Sequence, residues 1–155
     1  MSCEICPIIS DPSRDERALR ILEGEYWRAT LRRDQSLLGT TFITAKRHVE
    51  SLAELSTDEW QEFTSFNTQV ELAIKRAFGA HVINTSCLMN HAFKDESPQP
   101  HVHWHLKPRY SSAVTFNSQT FTDPAFGNYL SGDHPRLIVS QDLATAITHA
   151  IIEKL

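Results

Sequence analysis

Three histidines stand at alternate positions in PHVHWHLKPRY, residues 100–110, and this alternation restricts what the segment can form. Successive side chains of a β-strand point to opposite faces, so every second residue shares a face. The pattern predicts a strand over 101–107, stopped by Pro108, which has no N–H for a ladder hydrogen bond. One face carries the three histidines, and the other is expected to enter the core: His101, His103 and His105 against Val102, Trp104 and Leu106.

The spacing of this row indicates that the three histidines have different roles. Neighbours on one face are about 6.6 Å apart and the outer pair about 13 Å apart, so two can converge on a metal ion, whereas three would be strained. A neutral imidazole is also a nucleophile toward phosphorus at neutral pH, and adjacent histidines can hold phosphate oxygens and pass protons. The alternative is a solvated strand face on which histidine is merely a tolerated polar residue.

Two helices are predicted around the remaining strands. The first covers residues 57–78: Ser56 and Glu59 form a capping box, and Gly79 is suited to end the helix. Its expected apolar face is Trp60, Phe63, Val70, Ile74 and Ala77. The second covers residues 140–155, is capped by Ser140, and is expected to bury a stripe of Leu143, Ile147, Ile151 and Leu155.

The strand predictions complete a fold class. A hairpin over 18–33 has strands at 19–22 and 26–31 with a turn at Glu23-Gly24, and further strands are expected at 38–45, 81–90 and 101–107. About five sequential strands with one central helix and a C-terminal helix predict an α+β domain on an antiparallel sheet. Residues 1–155 are expected to form one domain, comprising an irregular leader (1–17), a core (18–110), and an irregular segment followed by the C-terminal helix (111–155).

Composition narrows the class of partner. The formal net charge of −4 argues against a general electrostatic grip on nucleic acid or an anionic membrane, although a few local groups can still hold a small phosphate-bearing ligand. The sequence contains neither an apolar run of the roughly 20 residues that a membrane helix needs nor a signal-peptide pattern. A cytoplasmic protein is therefore expected, and an odd count of 3 cysteines does not indicate a disulfide framework.

A cysteine pair opens the chain as Cys3-Glu4-Ile5-Cys6. Alone, such a C-x-x-C pair is a redox pair, half of a zinc site, or an accident; a thioredoxin-like motif would follow a strand and open a helix, and here Pro7 and the leader follow. Structural zinc usually takes four ligands. His48 and His101 are the candidate donors for the remaining two, and the alternative for each is a solvated loop histidine.

PHVHWHLKPRY resembles the signature of the histidine triad (HIT) family, in which three histidines alternate with apolar residues. LGTTFITAKRHVESLAEL is similar to the family's segment of glycine, apolar strand and lysine–histidine turn, and the leading C-x-x-C is like that of the zinc-bearing members. NTSCLMNHAFKDESPQPHVHWHLKPRY looks like a bacterial subgroup of HIT-like hydrolases. The resemblance covers roughly residues 3–110. Lys107 departs from the pattern, because an apolar residue is expected there.

The resemblance implies hydrolysis or transfer of a nucleoside monophosphoryl group, taken from a dinucleoside polyphosphate or a nucleoside phosphoramidate. It implies that His103 attacks the α-phosphorus and forms a covalent nucleotidyl-histidine, while His105 contacts the phosphate oxygens. It also implies phosphate binding by Asn90 and assembly into a homodimer. The expected binding partner is a small-molecule nucleotide, and neither nucleic acid nor a membrane is expected to bind. The implied structural zinc site is Cys3, Cys6, His48 and His101.

Two positions depart from the family's binding pattern. Pro98 stands where a phosphate-side serine is expected, so Ser97 or Gln99 is the candidate donor. Arg32 stands where the family places a ribose-binding acid, and Asp34 is the candidate replacement.

Three further alternatives stay open at this point. The chain can be a nucleotide-binding module with structural zinc and little turnover, or a metalloenzyme with His101 and His103 as ligands of an open metal site. Residues 111–139, which carry four aromatic residues, can either pack over the core or form a flap lining the nucleotide pocket.

Overall fold

A five-stranded antiparallel sheet forms the centre of the protein in the computed structural model, which describes residues 3–129 and 135–155. The strand order is β1-β2-β3-β5-β4. The strands are β1 (Arg20–Glu23), β2 (Trp27–Leu31), β3 (Thr41–Ala45), β4 (Val82–Cys87) and β5 (His103–Arg109). The predicted α+β architecture with an antiparallel sheet is confirmed.

The long helix α3 (Thr57–Phe78) begins and ends at the predicted residues. Ser56 and Glu59 exchange both hydrogen bonds of a capping box, and Gly79 ends the helix with a φ of 72°, in the left-handed region that glycine adopts most readily. The helix packs on one face of the sheet through Phe63, whose ring centroid lies 5.0 Å from that of Trp27 and 4.8 Å from that of Trp104.

The buried face of this helix is wider than the predicted stripe. Trp60 remains 36% exposed, whereas Phe66, Ala73 and Phe78 are buried beside Val70 and Ile74. Trp60 lies at the edge of the predicted face, where it touches the Trp104 ring edge-on at 6.3 Å.

The C-terminal helix α4 (Gln141–Ile152) is capped by the Ser140 hydroxyl, which accepts a hydrogen bond from Leu143 N, as predicted. Ile147 and Ile151 are fully buried against the core, together with Ala144 and Thr148. The predicted helix was too long, because its last three residues form a turn and Leu155 is 45% exposed.

The leader is helical rather than irregular. It contains α1 (Ile5–Ser10) and α2 (Arg14–Ala18), and α2 starts with a second capping box in which Ser13 and Glu16 exchange hydrogen bonds. The buried Arg28 side chain donates from Nη1 to the carbonyls of Ile8 and Ile9, at 3.3 and 3.1 Å. These bonds hold the end of α1 over the sheet.

The histidine strand is displaced from its predicted position. β5 begins at His103, and it continues through Pro108 to Arg109 instead of stopping at Pro108. The ladder between β3 and β5 ends at the pair Thr41 and Leu106, so β4 is the only strand of the described ranges that pairs with Pro108. Proline is tolerated there as on an edge strand, because a residue with no strand on one side needs no N–H for a ladder hydrogen bond on that side.

The segment after β5 contains a hairpin that the sequence prediction missed. Strands β6 (Val114–Phe116) and β7 (Gln119–Phe121) are joined by Asn117 and Ser118, both with positive φ, as two-residue hairpin turns require. Phe116 meets Phe78 at 5.4 Å, so the hairpin packs over the core. Residues 130–134 of the predicted irregular segment lie outside the described residues.

Within the described ranges, no helix combines the length and the apolar character needed to cross a membrane.

Candidate functional site

The sheet has one face turned away from α3, and we call it the histidine face. Its residues share a side by strand alternation and register: Arg28, Thr30 and Arg32 along and just beyond β2, Phe42 and Thr44 on β3, and His103, His105 and Lys107 on β5. Thr44 pairs with His103 and Phe42 pairs with His105. The Phe42 ring lies edge-on to both imidazoles, at centroid distances of 5.6 and 4.8 Å.

His101 lies before β5 and is buried in the loop that leads into the strand. Together with Cys3, Cys6 and His48 it forms a cluster whose four donor atoms all lie within 4.8 Å of one another. Cys3 Sγ and Cys6 Sγ are 3.4 and 3.6 Å from His101 Nδ1, and Cys6 Sγ is 3.4 Å from His48 Nδ1. The cluster joins the leader to the end of β3 and to the start of β5.

The ring orientations in this cluster suit a metal ion. His101 Nε2 donates to Ala45 O at 2.7 Å, which leaves Nδ1 unprotonated and directed at the sulfurs. His48 Nε2 lies 3.2 Å from a Glu50 carboxylate oxygen, which fixes the second ring in the same sense. Metal-bound histidines typically donate their other N–H to a carbonyl or carboxylate, and a Cys₂His₂ set is typical of tetrahedral zinc. The residues present therefore fit a zinc ion.

The Cys6 thiol is not ionised by the protein alone. Burial, followed by the hydrogen bond and charge interaction with Cys3, raises the pKa of the Cys6 thiol to about 11. A metal ion has to displace the thiol protons, because the thiolate is the ligand form.

His103 is held with one nitrogen free. Its Nδ1 is 2.7 Å from the His101 carbonyl oxygen, which only accepts, so Nδ1 carries the proton and Nε2 keeps its lone pair. Burial lowers the pKa of His103, and the charge of Arg32 lowers it in the same direction. The ring is therefore neutral at physiological pH, which is the nucleophilic form.

His105 lies beside His103, with the ring centroids 4.9 Å apart. Burial, followed by the charges of His103 and Lys107, lowers the pKa of His105 to about 4, so this ring is also neutral. It lies beside the Leu88 backbone, but neither ring nitrogen makes a hydrogen bond of good geometry to any residue of 3–129 or 135–155. A buried polar group in this state favours a ligand that supplies the missing partner.

Two cavities meet at His103. An apolar cavity of about 170 Å³ lies between the sheet and the leader helices, with walls that include Ile5, Ile8 and Ile9. A more polar cavity of about 270 Å³ lies toward the segment that precedes β5, and it is lined by all three histidines. His103, Phe42 and Ile5 belong to both walls.

The predicted phosphate donors are only partly at this site. Ser97 and Gln99 line the polar cavity. Asn90 does not line it, because Asn90 begins an exposed 3₁₀ turn, Asn90–Lys94, from which His91 and Ala92 reach the wall instead.

Arg32, not Asp34, faces the polar cavity. The Asp34 carboxylate accepts hydrogen bonds from Ser36 N and Leu137 N, both at 3.2 Å, and so stabilises the backbone of the adjacent loop. Among the described residues of 111–139, none lines either cavity, which favours the packing interpretation of that segment.

Sequence reasoning missed Phe42, Arg28 and the isoleucines of α1 as cavity residues. Phe42 had a usable signal, since alternation along the strand places it on the same face as Thr44 and opposite Ile43. The isoleucines had none, because the sequence predicts an irregular leader where α1 lies.

No protein-family model and no curated protein matches this sequence. A hypothetical histidine triad nucleotide-binding protein from Sulfolobus tokodaii strain7 is 21% identical, with 97% of this chain and 92% of that chain covered and a TM-score of 0.65. A Zn-bound histidine triad family protein from Mycobacterium smegmatis is 20% identical over 99% and 94% of the two chains, with a TM-score of 0.61. A HIT family protein from Bacillus anthracis is 26% identical over 71% and 74%, with a TM-score of 0.58. The chain has the fold of these proteins, as its sequence motif predicts.

Proposed function

We infer that this chain is a histidine triad protein, and we propose that it hydrolyses or transfers nucleoside monophosphoryl groups through a covalent intermediate on His103. The observation that carries the proposal is the position of His103: a neutral imidazole, fixed through Nδ1, at the wall that two cavities share. This arrangement places a nucleophile where a ligand can extend to both sides of it.

The proposed reaction has two displacements at one phosphorus atom. The lone pair of His103 Nε2 forms a bond to the α-phosphorus, while the bond to the leaving oxygen or nitrogen breaks and the leaving group departs with that electron pair and gains a proton. Water then attacks the same phosphorus, loses a proton, and the P–N bond breaks with its electron pair returning to Nε2. The products are a nucleoside monophosphate, the protonated leaving group and the free enzyme.

The two cavities suit the two ends of such a substrate. The isoleucine-lined cavity fits a nucleoside base, since burying apolar ring surface contributes about 25 cal/mol per Å². The polar cavity fits the phosphates and the leaving group, with Ser97 and Gln99 as donors and the His105 N–H directed at a phosphate oxygen. Donors fixed around developing charge contribute several kcal/mol in comparable sites. Dinucleoside polyphosphates and nucleoside phosphoramidates are the two substrate classes that fit.

The cysteine–histidine cluster has a structural role in this proposal. Zinc bound by Cys3, Cys6, His48 and His101 supplies a closed cross-link between leader and sheet. Cys3 and Cys6 flank the start of α1, so the cross-link holds Ile5 and the following isoleucines in the wall of the apolar cavity. The catalytic alternative with His101 and His103 on one open metal site is disfavoured, because His101 uses Nε2 for the Ala45 carbonyl and directs Nδ1 at the sulfurs of Cys3 and Cys6.

We further propose a cytoplasmic homodimer. β4 is an edge strand of the sheet, and Val82 on it is 45% exposed. An exposed strand edge of this kind is protected when a second copy covers it. Light scattering should give twice the mass of the chain, and a monomer mass would contradict this part of the proposal.

His103→Ala tests the proposed activity, with His149→Ala on the exposed side of α4 as the matched control. Hydrolysis of a dinucleoside polyphosphate should disappear in His103→Ala, while the fold and the affinity for nucleoside monophosphate are retained. The control should behave as the unaltered protein. Turnover that survives in His103→Ala would overturn the mechanism, and binding without turnover in the unaltered protein would establish the binding-module alternative.

A further inference from the structure

Two positions depart from the histidine triad pattern by introducing a positive charge, Arg32 and Lys107, and the fold brings them to the same end of the histidine face. Arg32 N donates to Thr40 O at 3.0 Å, which extends the ladder one residue beyond β2. Thr40 adjoins Thr41, the partner of Leu106, so Lys107 lies level with it on β5. The backbones of these two residues therefore lie in one row of the sheet, about 10 Å apart at two strand spacings.

Arg32 is available to a ligand. Its guanidinium lies over the Phe42 ring, 5.4 Å from the centroid, and it lines the polar cavity beside His103 and His105. Its side chain is 32% exposed and makes no hydrogen bond to the described residues. The nearest carboxylate, Asp34, is 4.0 Å away and already accepts two backbone hydrogen bonds.

The charge at this end of the face reaches His105. Burial is the largest cause of the lowered pKa of His105, and the charges of His103, Lys107 and Arg32 lower it in the same direction. Two acidic residues, Glu4 and Asp95, line the same cavity, and both are exposed, so water screens them more strongly. Planar guanidinium groups bind phosphate in a bidentate manner, which a ribose-binding acid cannot do.

We propose that Arg32 binds a second phosphate of the nucleotide, with Lys107 adding positive charge at the same end of the histidine face, so that the substrate carries a phosphate in addition to the one that His103 attacks. This inference rests on the proposed function and narrows it. It favours dinucleoside polyphosphates, or nucleotides phosphorylated on the ribose, over phosphoramidates with an uncharged leaving group.

Binding to the full-length, zinc-loaded His103→Ala protein tests the inference without turnover. Calorimetric titrations compare adenosine 5′-monophosphate, adenosine 5′-diphosphate and adenosine 3′,5′-bisphosphate, with and without Arg32→Gln. We expect Arg32→Gln to weaken one of the two-phosphate ligands by about 10- to 100-fold, as loss of a charge-assisted hydrogen bond does, and to change monophosphate binding far less. Lys107→Gln should have a smaller effect in the same direction, and Arg32→Lys should recover part of the affinity.

The pattern of affinity losses shows whether Arg32 binds a leaving-group phosphate or a ribose phosphate. A loss confined to the diphosphate assigns the subsite to the leaving-group phosphates, and a loss confined to the bisphosphate assigns it to a ribose phosphate. Arg76→Gln, on α3 across the sheet, is the matched control and should change nothing. Equal losses for all three ligands, no loss, or no binding by any ligand would overturn the inference. Hydrolysis by the unaltered protein is measured separately. If Arg32→Gln does not weaken binding but hydrolysis still depends on His103, the phosphate subsite is excluded and the proposed function is retained.

Discussion

Arg109→Met should destabilise the protein strongly, because it leaves a buried carboxylate without its cation. Asp123 is fully buried at its side chain, and Arg109 is 5% exposed at its own. Arg109 Nε and Nη2 donate to the two Asp123 oxygens at 2.6 and 3.1 Å. The same guanidinium also donates to the carbonyls of Ala125 and Asn128, so it fixes the segment after the β6–β7 hairpin as well.

The expected loss is about 3 to 5 kcal/mol in the free energy of unfolding, which is typical when one partner of a buried ion pair is removed. Two backbone N–H groups, of Tyr110 and Ala125, still donate to Asp123 at 3.2 Å and keep the loss from being larger. Asp123→Leu combined with Arg109→Met should cost less than the sum of the single changes, because the double variant leaves no unpaired charge.

The unfolding free energy lost in Arg109→Met should also depend on pH. Burial opposes ionisation of Asp123, but the hydrogen bonds and charge of Arg109 outweigh it and hold the pKa below the ordinary 3.8. The carboxylate thus stabilises the unaltered protein above about pH 3.8, and this contribution is lost as the pH falls through the folded-state pKa. In Arg109→Met only the two backbone N–H groups still oppose burial, so we expect the pKa of Asp123 to rise and this variant to lose stability as the pH rises instead.

Urea unfolding followed by tryptophan fluorescence at pH 7 and at pH 4 measures both effects. The difference between Arg109→Met and the unaltered protein should be widest at pH 7 and should narrow at pH 4. A loss below about 1 kcal/mol at pH 7, or a difference that widens in acid, would refute the reasoning about this ion pair.

Three further outcomes are expected. Cys6→Ser should reduce the zinc content, measured by emission spectrometry, to well below one ion per chain, whereas Cys87→Ser should retain it; equal contents would contradict the proposed ligand set. Gly79→Ala should cost about 1 kcal/mol in urea unfolding for the left-handed conformation alone, since an added Cβ meets nothing within 4 Å, and a neutral result would contradict this. Ser56→Ala should cost about 1 kcal/mol through loss of the cap, against little change for the exposed Ser65→Ala, and similar values for the two would argue against the capping interpretation.

Local signals in the sequence were sufficient for the regular core. The capping box at Ser56 and the glycine at 79 defined both ends of α3, because these signals act on the backbone directly. The hairpin of β1 and β2 was likewise readable from two apolar runs around a glycine turn.

Other elements depended on tertiary context. Pro108 is compatible with β5 only because the neighbouring strand ends first, and no local pattern contains that information. The helices of the leader are short, and buried Arg28 helps to hold α1 in place, although the capping box at Ser13 was a signal that could have been used. The β6–β7 turn uses Asn117 and Ser118, a weaker signal than Asn-Gly.

The cysteine–histidine cluster was predictable because the family resemblance groups its residues, whereas the phosphate side of the site depends on how the fold places each residue. Cys3, Cys6, His48 and His101 were grouped by resemblance, and the structure brings their donor atoms together. Asn90 was placed by spacing alone, whereas the 3₁₀ turn that contains it turns other residues toward the cavity. The cationic pair Arg32 and Lys107 emerges only from the strand register.

The central claim is that the nucleotide is transferred to His103. The most direct measurement is mass spectrometry of the protein quenched during turnover of a dinucleoside polyphosphate, in alkaline denaturant because the phosphorus–nitrogen bond is acid-labile. We expect a mass increase of one nucleotidyl group on the peptide that contains His103, absent from His103→Ala. A nucleotidyl group on any other residue, or turnover that persists in His103→Ala, would contradict it.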